Sequence, residues 1–69
     1  MDPNANLREQ GTCTDPGRLR ELRQALAAWL SSGGFAPDWD AYPDAARDFR
    51  SWLGRVRIQT ALALGRVRA

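Results

Sequence analysis

Residues 15–34, DPGRLRELRQALAAWLSSGG, contain the signals that begin, continue and end one helix. Asp15 is suited to accept hydrogen bonds from the free amides of a first turn, and Pro16 suits the first helical position, where no amide donor is needed. Leucine and tryptophan then recur three or four residues apart, and two glycines supply a left-handed end. The sequence therefore predicts a helix over residues 16–32.

A second, longer helix is predicted after an aromatic connection. Residues 35–43, FAPDWDAYP, contain three aromatic residues and two prolines, and we expect the aromatic side chains to close the open end of a pair of helices. From residue 43 an apolar stripe with helical period continues to residue 67. A strand over residues 55–60, where charged and apolar residues alternate, is the competing interpretation, but the longer stripe favours a helix. The stripe comprises Phe49, Trp52, Leu53, Val56, Thr60, Ala63, Leu64 and Val67.

Residues 1–14 are polar, with Leu7 the only large apolar side chain after Met1. This composition predicts a flexible N-terminal arm, in which Asn4 or Asn6 could begin one helical turn, followed by a single helical domain over residues 15–69. The expected fold is all-α: a small helical hairpin of two main helices, residues 16–32 and 43–67, joined by the aromatic loop. Its core is expected where Leu22, Leu26 and Trp29 of the first helix meet Phe49, Trp52, Leu53 and Val56 of the second.

The residue types needed for common catalytic and metal sites are missing or scattered. The chain has one cysteine, Cys13, and no histidine, and it has no glycine-rich phosphate loop followed by lysine. Aspartates recur over residues 38–48 without the glycine and glutamate of a calcium loop. We therefore expect no catalytic residue, cofactor, metal or small-molecule substrate, and no enzymatic activity.

The lone cysteine also favours a reducing compartment, and we expect a cytoplasmic protein. No apolar run approaches the length of a membrane span, and the N-terminus lacks the pattern of a signal peptide.

Charge is distributed unevenly along the chain, although the net charge is only +2. Residues 1–44 carry four arginines against seven acidic residues, whereas residues 45–69 carry six arginines against one. Arginines on one helix are suited to contact nucleic-acid phosphates. The candidate nucleic-acid-binding residues are Arg47, Arg50, Arg55, Arg57, Arg66 and Arg68.

A second surface of the longer helix, opposite the apolar stripe, is also unusual. Small residues there allow another helix to approach closely, and an apolar pair lies at i, i+4. We call this surface the distal face; it comprises Gly54, Ile58, Ala61, Leu62 and Gly65. Two interpretations remain open. In the first, the distal face contacts no other molecule, and its apolar residues are either covered by the N-terminal arm or scattered on the surface. In the second, the face contacts another protein molecule.

The segment Trp29-Leu30-Ser31-Ser32-Gly33-Gly34-Phe35-Ala36-Pro37 resembles small uncharacterised proteins of actinobacteria and their phages, in which a leucine-rich helix leads into Trp-Leu-x-x-Gly-Gly-Phe-x-Pro. The resemblance covers about residues 19–39. It implies an actinobacterial or phage origin, and host cytoplasm as the location if the protein is phage-encoded. The resemblance gives no indication of an activity, because these proteins have no assigned function.

The sequence thus favours a protein-interaction module that self-associates or docks on a host or structural protein. The alternative is a nucleic-acid-binding accessory protein that uses the arginine-rich helix. Peripheral membrane association through the same helix is a third, weaker interpretation.

Overall fold

The computed structural model describes the backbone of residues 1–68 and the side chains of residues 1–56. It contains three α-helices, α1 (Pro3–Thr12), α2 (Pro16–Ser31) and α3 (Pro43–Arg68), and one turn of 3-10 helix, Trp39–Ala41. The described backbone has no strand, so the all-α prediction is confirmed. Residues 55–60, where a strand was the competing interpretation, are helical.

The N-terminal segment is a helix, and the prediction of a flexible arm over residues 1–14 is wrong for its helical part. The Asp2 carboxylate accepts hydrogen bonds from the amides of Asn4 (3.0 Å) and Ala5 (3.3 Å), and Pro3 occupies the first turn. The Leu7 side chain is fully buried. A capping aspartate followed by proline therefore begins α1, as the same pair begins α2.

A buried polar chain fixes α1 against α2. The Asn6 side-chain amide donates to the carbonyl of Leu22 (3.1 Å), and the Gln10 amide donates to Asn6 Oδ1 (2.7 Å). Because a backbone carbonyl can only accept, the first bond sets the orientation of the Asn6 amide, and Asn6 in turn sets that of Gln10. These bonds satisfy most of the polar atoms that burial of α1 removes from water.

An ion pair at the surface joins the same two helices. The Arg18 guanidinium donates to both carboxylate oxygens of Glu9, at 2.8 and 3.3 Å. This hydrogen bonding lowers the pKa of the Glu9 carboxyl below its ordinary value. The pair is exposed, so it orients the helices more than it stabilises them.

The core is built from all three helices. α1 packs against both α2 and the first half of α3. At the centre lie five buried side chains, surrounded by partly buried Trp29, Trp39, Tyr42, Trp52 and Leu53. The five are Leu7, Leu26, Ala45, Ala46 and Phe49. The main contacts between helices are those of α1 with α2 and of α1 with α3, so the direct hairpin pairing expected for the two longer helices is not confirmed.

The expected core stripe of α3 is buried only in part. Phe49 is buried, whereas Trp52 and Leu53 are half-buried. Val56, expected in the core, is 37% exposed, so its placement there is wrong. The remaining expected members, residues 60–67, lie on the helical backbone of α3, and their side chains lie outside the described residues.

Candidate interaction surfaces

The distal face begins at Gly54. Of the five residues of this face, Gly54 is the one whose surroundings the structure describes. A Cβ atom added at Gly54 would have no described neighbour within 4 Å. Exposed Ser51 and Arg55 flank this position along α3. The other predicted members, Ile58, Ala61, Leu62 and Gly65, lie on the helical backbone of α3, and their side chains lie outside the described residues.

α1 packs at the other end of α3 from the distal face. Four of its residues, Pro3, Asn6, Leu7 and Gln10, are buried. The side-chain oxygen of Asn4, which is exposed, accepts a hydrogen bond from the backbone amide of Asp38 (2.6 Å). These contacts hold α1 against α2, the connecting loop and the first half of α3.

Three of the six candidate nucleic-acid-binding arginines have described side chains, and each makes a contact within the chain. Arg47 lies 3.7 Å from Asp44 and 3.6 Å from Asp48. The Arg50 guanidinium lies over the Trp39 ring, 4.9 Å from its centroid. Arg55 donates to the Ser51 hydroxyl (3.1 Å). All three arginines remain exposed. The side chains of Arg57, Arg66 and Arg68 lie outside the described residues.

A tight turn after α2 presents an aromatic surface; we call residues 29–35 the aromatic turn. The Gly34 amide donates to the Trp29 carbonyl (2.9 Å) and the Gly33 amide to the Leu30 carbonyl (3.2 Å), the two hydrogen bonds of a Schellman end. Gly33 has φ of 90°, a conformation that side chains disfavour. The glycine pair therefore reverses the chain immediately after the helix.

The indole ring of Trp29 locks this turn. It lies so close to Gly34 that a Cβ atom there would overlap the ring. Its Nε1 donates to the Phe35 carbonyl (2.9 Å), and the rings of Trp29 and Phe35 meet edge to face with centroids 5.5 Å apart. Phe35 nevertheless remains 63% exposed. The backbone of Phe35 is thus fixed while much of its ring faces solvent.

The loop that follows carries only negative charge. This loop, residues 36–42, which we call the acidic loop, contains Asp38 and Asp40 and no basic residue. The Asp38 carboxylate accepts from the Asp40 amide (3.2 Å), so Asp38 caps the short 3-10 turn. Pro37 is buried between this turn and the exposed Phe35. The beginning of the acidic loop is therefore fixed by buried Pro37 and by the Asp38 cap.

The sequence grouped Phe35 with Trp39 and Tyr42 as a plug for the helical pair, and the structure separates them. Trp39 stacks on Phe49 with ring centroids 5.9 Å apart, and Tyr42 packs beside the core, half-buried. Phe35 contacts Trp29 instead. The glycine pair marks the turn in the sequence, but the contact of the Phe35 ring with Trp29 instead of the core depends on packing.

Two small cavities flank the C-terminal half of α1. One, of about 230 Å³, lies between α1 and the start of α3, beside Arg8 and Tyr42. The other, of about 220 Å³, lies at the junction of the three helices. Its wall includes Gln10, Cys13, Leu19, Arg23, Asp44 and Asp48. No three histidine, cysteine or acidic side chains cluster as a metal site within the described part of the chain.

Among the helices that the structure describes, none is both long enough and apolar enough to cross a membrane. No family model, curated protein or solved structure matches this chain. The residues that carry the resemblance to actinobacterial and phage proteins form the aromatic turn, where Trp29, Gly33 and Gly34 have local structural roles.

Proposed function

We propose that this protein is a non-enzymatic interaction module whose contact surface is the distal face of α3. The observation that carries the proposal is the open space at Gly54. Nothing in the described chain packs on the face at that point, and a glycine there lets another backbone approach closely. Self-association is the form of contact that we propose first, with a host or structural protein as the other form.

The position of α1 supports this proposal. The sequence left the N-terminal segment as a candidate cover for the distal face. That segment is instead packed against α2, the loop and residues 45–49 of α3. An apolar pair such as Ile58 and Leu62, placed on the same helical face by the sequence, would gain from burial against another molecule.

Nucleic-acid binding is the alternative function. The actinobacterial or phage origin and the cytoplasmic location are further proposals, and they rest on the sequence alone. The described arginines favour only weak, sequence-independent binding, because Arg47 has two aspartates beside it and Arg50 covers Trp39. Such binding would fall steeply with salt. A sequence-selective gel shift that resists added salt would reverse the order of these two proposals.

Sedimentation of the full chain over a range of concentrations tests the leading proposal. We expect wild type to self-associate and Ile58→Arg to weaken association by about a hundred-fold, because the new charge would have to be buried in the contact. Gln59→Arg is the matched control: it adds the same charge one residue further along, off the distal face. Helix content should stay unchanged in both variants.

A wild-type chain that stays monomeric at every concentration would exclude self-association. Equal weakening by Ile58→Arg and Gln59→Arg would point to charge alone and would remove the distal face as the contact surface.

A further inference from the structure

We propose that the distal half of α3 receives the aromatic turn and acidic loop of a second copy of this chain, so that molecules associate head to tail. This inference rests on the proposed function and names its partner. The inserted group is the Phe35 ring, and the aspartates that follow it would pair with arginines that flank the distal face.

Phe35 has the properties of a preformed contact residue. Among the described residues, it is the most exposed large apolar side chain. Its backbone is fixed on one side by the Trp29 hydrogen bond and on the other by buried Pro37, so binding would order little additional chain. Rigid aromatic side chains that enter a partner's surface commonly dominate the binding energy of an interface.

The charges of the two surfaces are complementary. The loop that follows Phe35, residues 36–42, carries two aspartates and no basic residue, whereas residues 54–69 carry four arginines and no acidic residue. Two distal faces brought together would place arginines opposite arginines. An acidic loop on the same face would replace this repulsion by attraction.

The geometry prevents the two surfaces from meeting within one molecule. Trp39 stacks on Phe49, which holds the loop at the beginning of α3. Phe49 and Ile58 are nine residues apart on α3, about 14 Å at 1.5 Å per residue, and the distal face was assigned to the side of the helix opposite the stripe that contains Phe49. A loop held against Phe49 therefore reaches the distal face only in a neighbouring copy.

A head-to-tail contact of this kind uses two different surfaces, so each copy retains one free surface of each type. Such contacts continue into rings or open chains, whereas a symmetric contact stops at the dimer. We therefore expect the mean mass of wild type to keep rising with concentration beyond that of a dimer.

Mixing two interface variants of the full chain tests the inference. Phe35→Ala keeps the carbonyl that accepts from Trp29 but removes the ring, and we expect it to weaken association by about thirty-fold. Ile58→Arg changes the other surface. Each variant alone should sediment as a monomer, whereas an equimolar mixture should form dimers of one copy of each, because one intact surface of each type remains.

Two outcomes separate this inference from the proposed function. If Phe35→Ala associates as strongly as wild type while Ile58→Arg does not, the head-to-tail contact is wrong and the distal face survives as an interface. If wild type never associates, both self-association proposals fail. A mixture that contains only monomers, from variants that retain helix content, would also contradict the head-to-tail contact.

Discussion

Leu7 and Phe35 are both large apolar residues, yet the structure places them in opposite environments. Leu7 is fully buried between helices, whereas Phe35 is 63% exposed beside a single ring. The Leu7 side chain is covered because α1 lies against both α2 and α3. Phe35 follows a glycine turn that directs the chain outward. The position of the local backbone, more than the apolar character of the residue, decides which side chain holds the monomer together.

Replacement of Leu7 or Phe35 by alanine should give the largest difference in unfolding free energy. Leu7→Ala should cost about 2–5 kcal/mol of unfolding free energy, because it leaves a cavity in the core. Phe35→Ala should cost far less, since most of the ring stays in water in the monomer. Urea unfolding at low protein concentration measures both, with Arg8→Ala, an exposed neighbour on α1, as the control. A Leu7→Ala variant as stable as Arg8→Ala would restore the flexible arm that the sequence predicted.

Two glycines sharpen the comparison, because they should respond to alanine with opposite signs. Gly34→Ala should destabilise the monomer by about 1–3 kcal/mol, since the new methyl group overlaps the Trp29 ring. Gly54→Ala should stabilise it by up to about 1 kcal/mol, because the methyl group meets open space and alanine favours helix. Thermal unfolding of both variants checks the signs. Destabilisation by Gly54→Ala in a monomeric sample would mean that something packs on the distal face.

The smallest expected effect is that of pH on the contact between α1 and α2. Arg18 lowers the pKa of the Glu9 carboxyl in the folded chain. The contribution of Glu9 to stability is therefore present above its unfolded pKa and is lost as the pH falls through the lower folded pKa. Unfolding measured from neutral to acid pH should show a slightly smaller acid loss in Glu9→Gln than in wild type. Identical acid unfolding profiles of wild type and Glu9→Gln would show that the Glu9–Arg18 pair does not contribute to stability.

The sequence predicted the helices with the strongest local signals. Residues 16–32 and 43–67 were expected, and α2 and α3 end within one residue of those limits. α1 was missed because one leucine gives no measurable periodicity, although Asp2-Pro3 repeats the start signal of Asp15-Pro16. Because α1 was not predicted, the burial of Leu7 and the Asn6–Gln10 hydrogen-bond chain could not be predicted either. Both depend on contacts between residues that are distant in the sequence.

The candidate surfaces were predicted less completely. The distal face followed from helical period alone, and the structure adds the open space at its first member, Gly54. The exposure of Phe35 was not predicted, because the direction of its side chain depends on the Trp29 ring that lies over Gly34. Local sequence can mark a turn, but which rings stack across it is decided by packing.

Hydrogen exchange of the full chain at low and high concentration tests the division into core and contact surfaces most directly. We expect α3 amides in residues 54–68, and those of the loop around Phe35, to gain protection as concentration rises, because association restricts local opening there. Amides in residues 43–53 should change little, since the core already protects them. Unchanged exchange over residues 54–68, in a sample that sedimentation shows to be associated, would contradict the account.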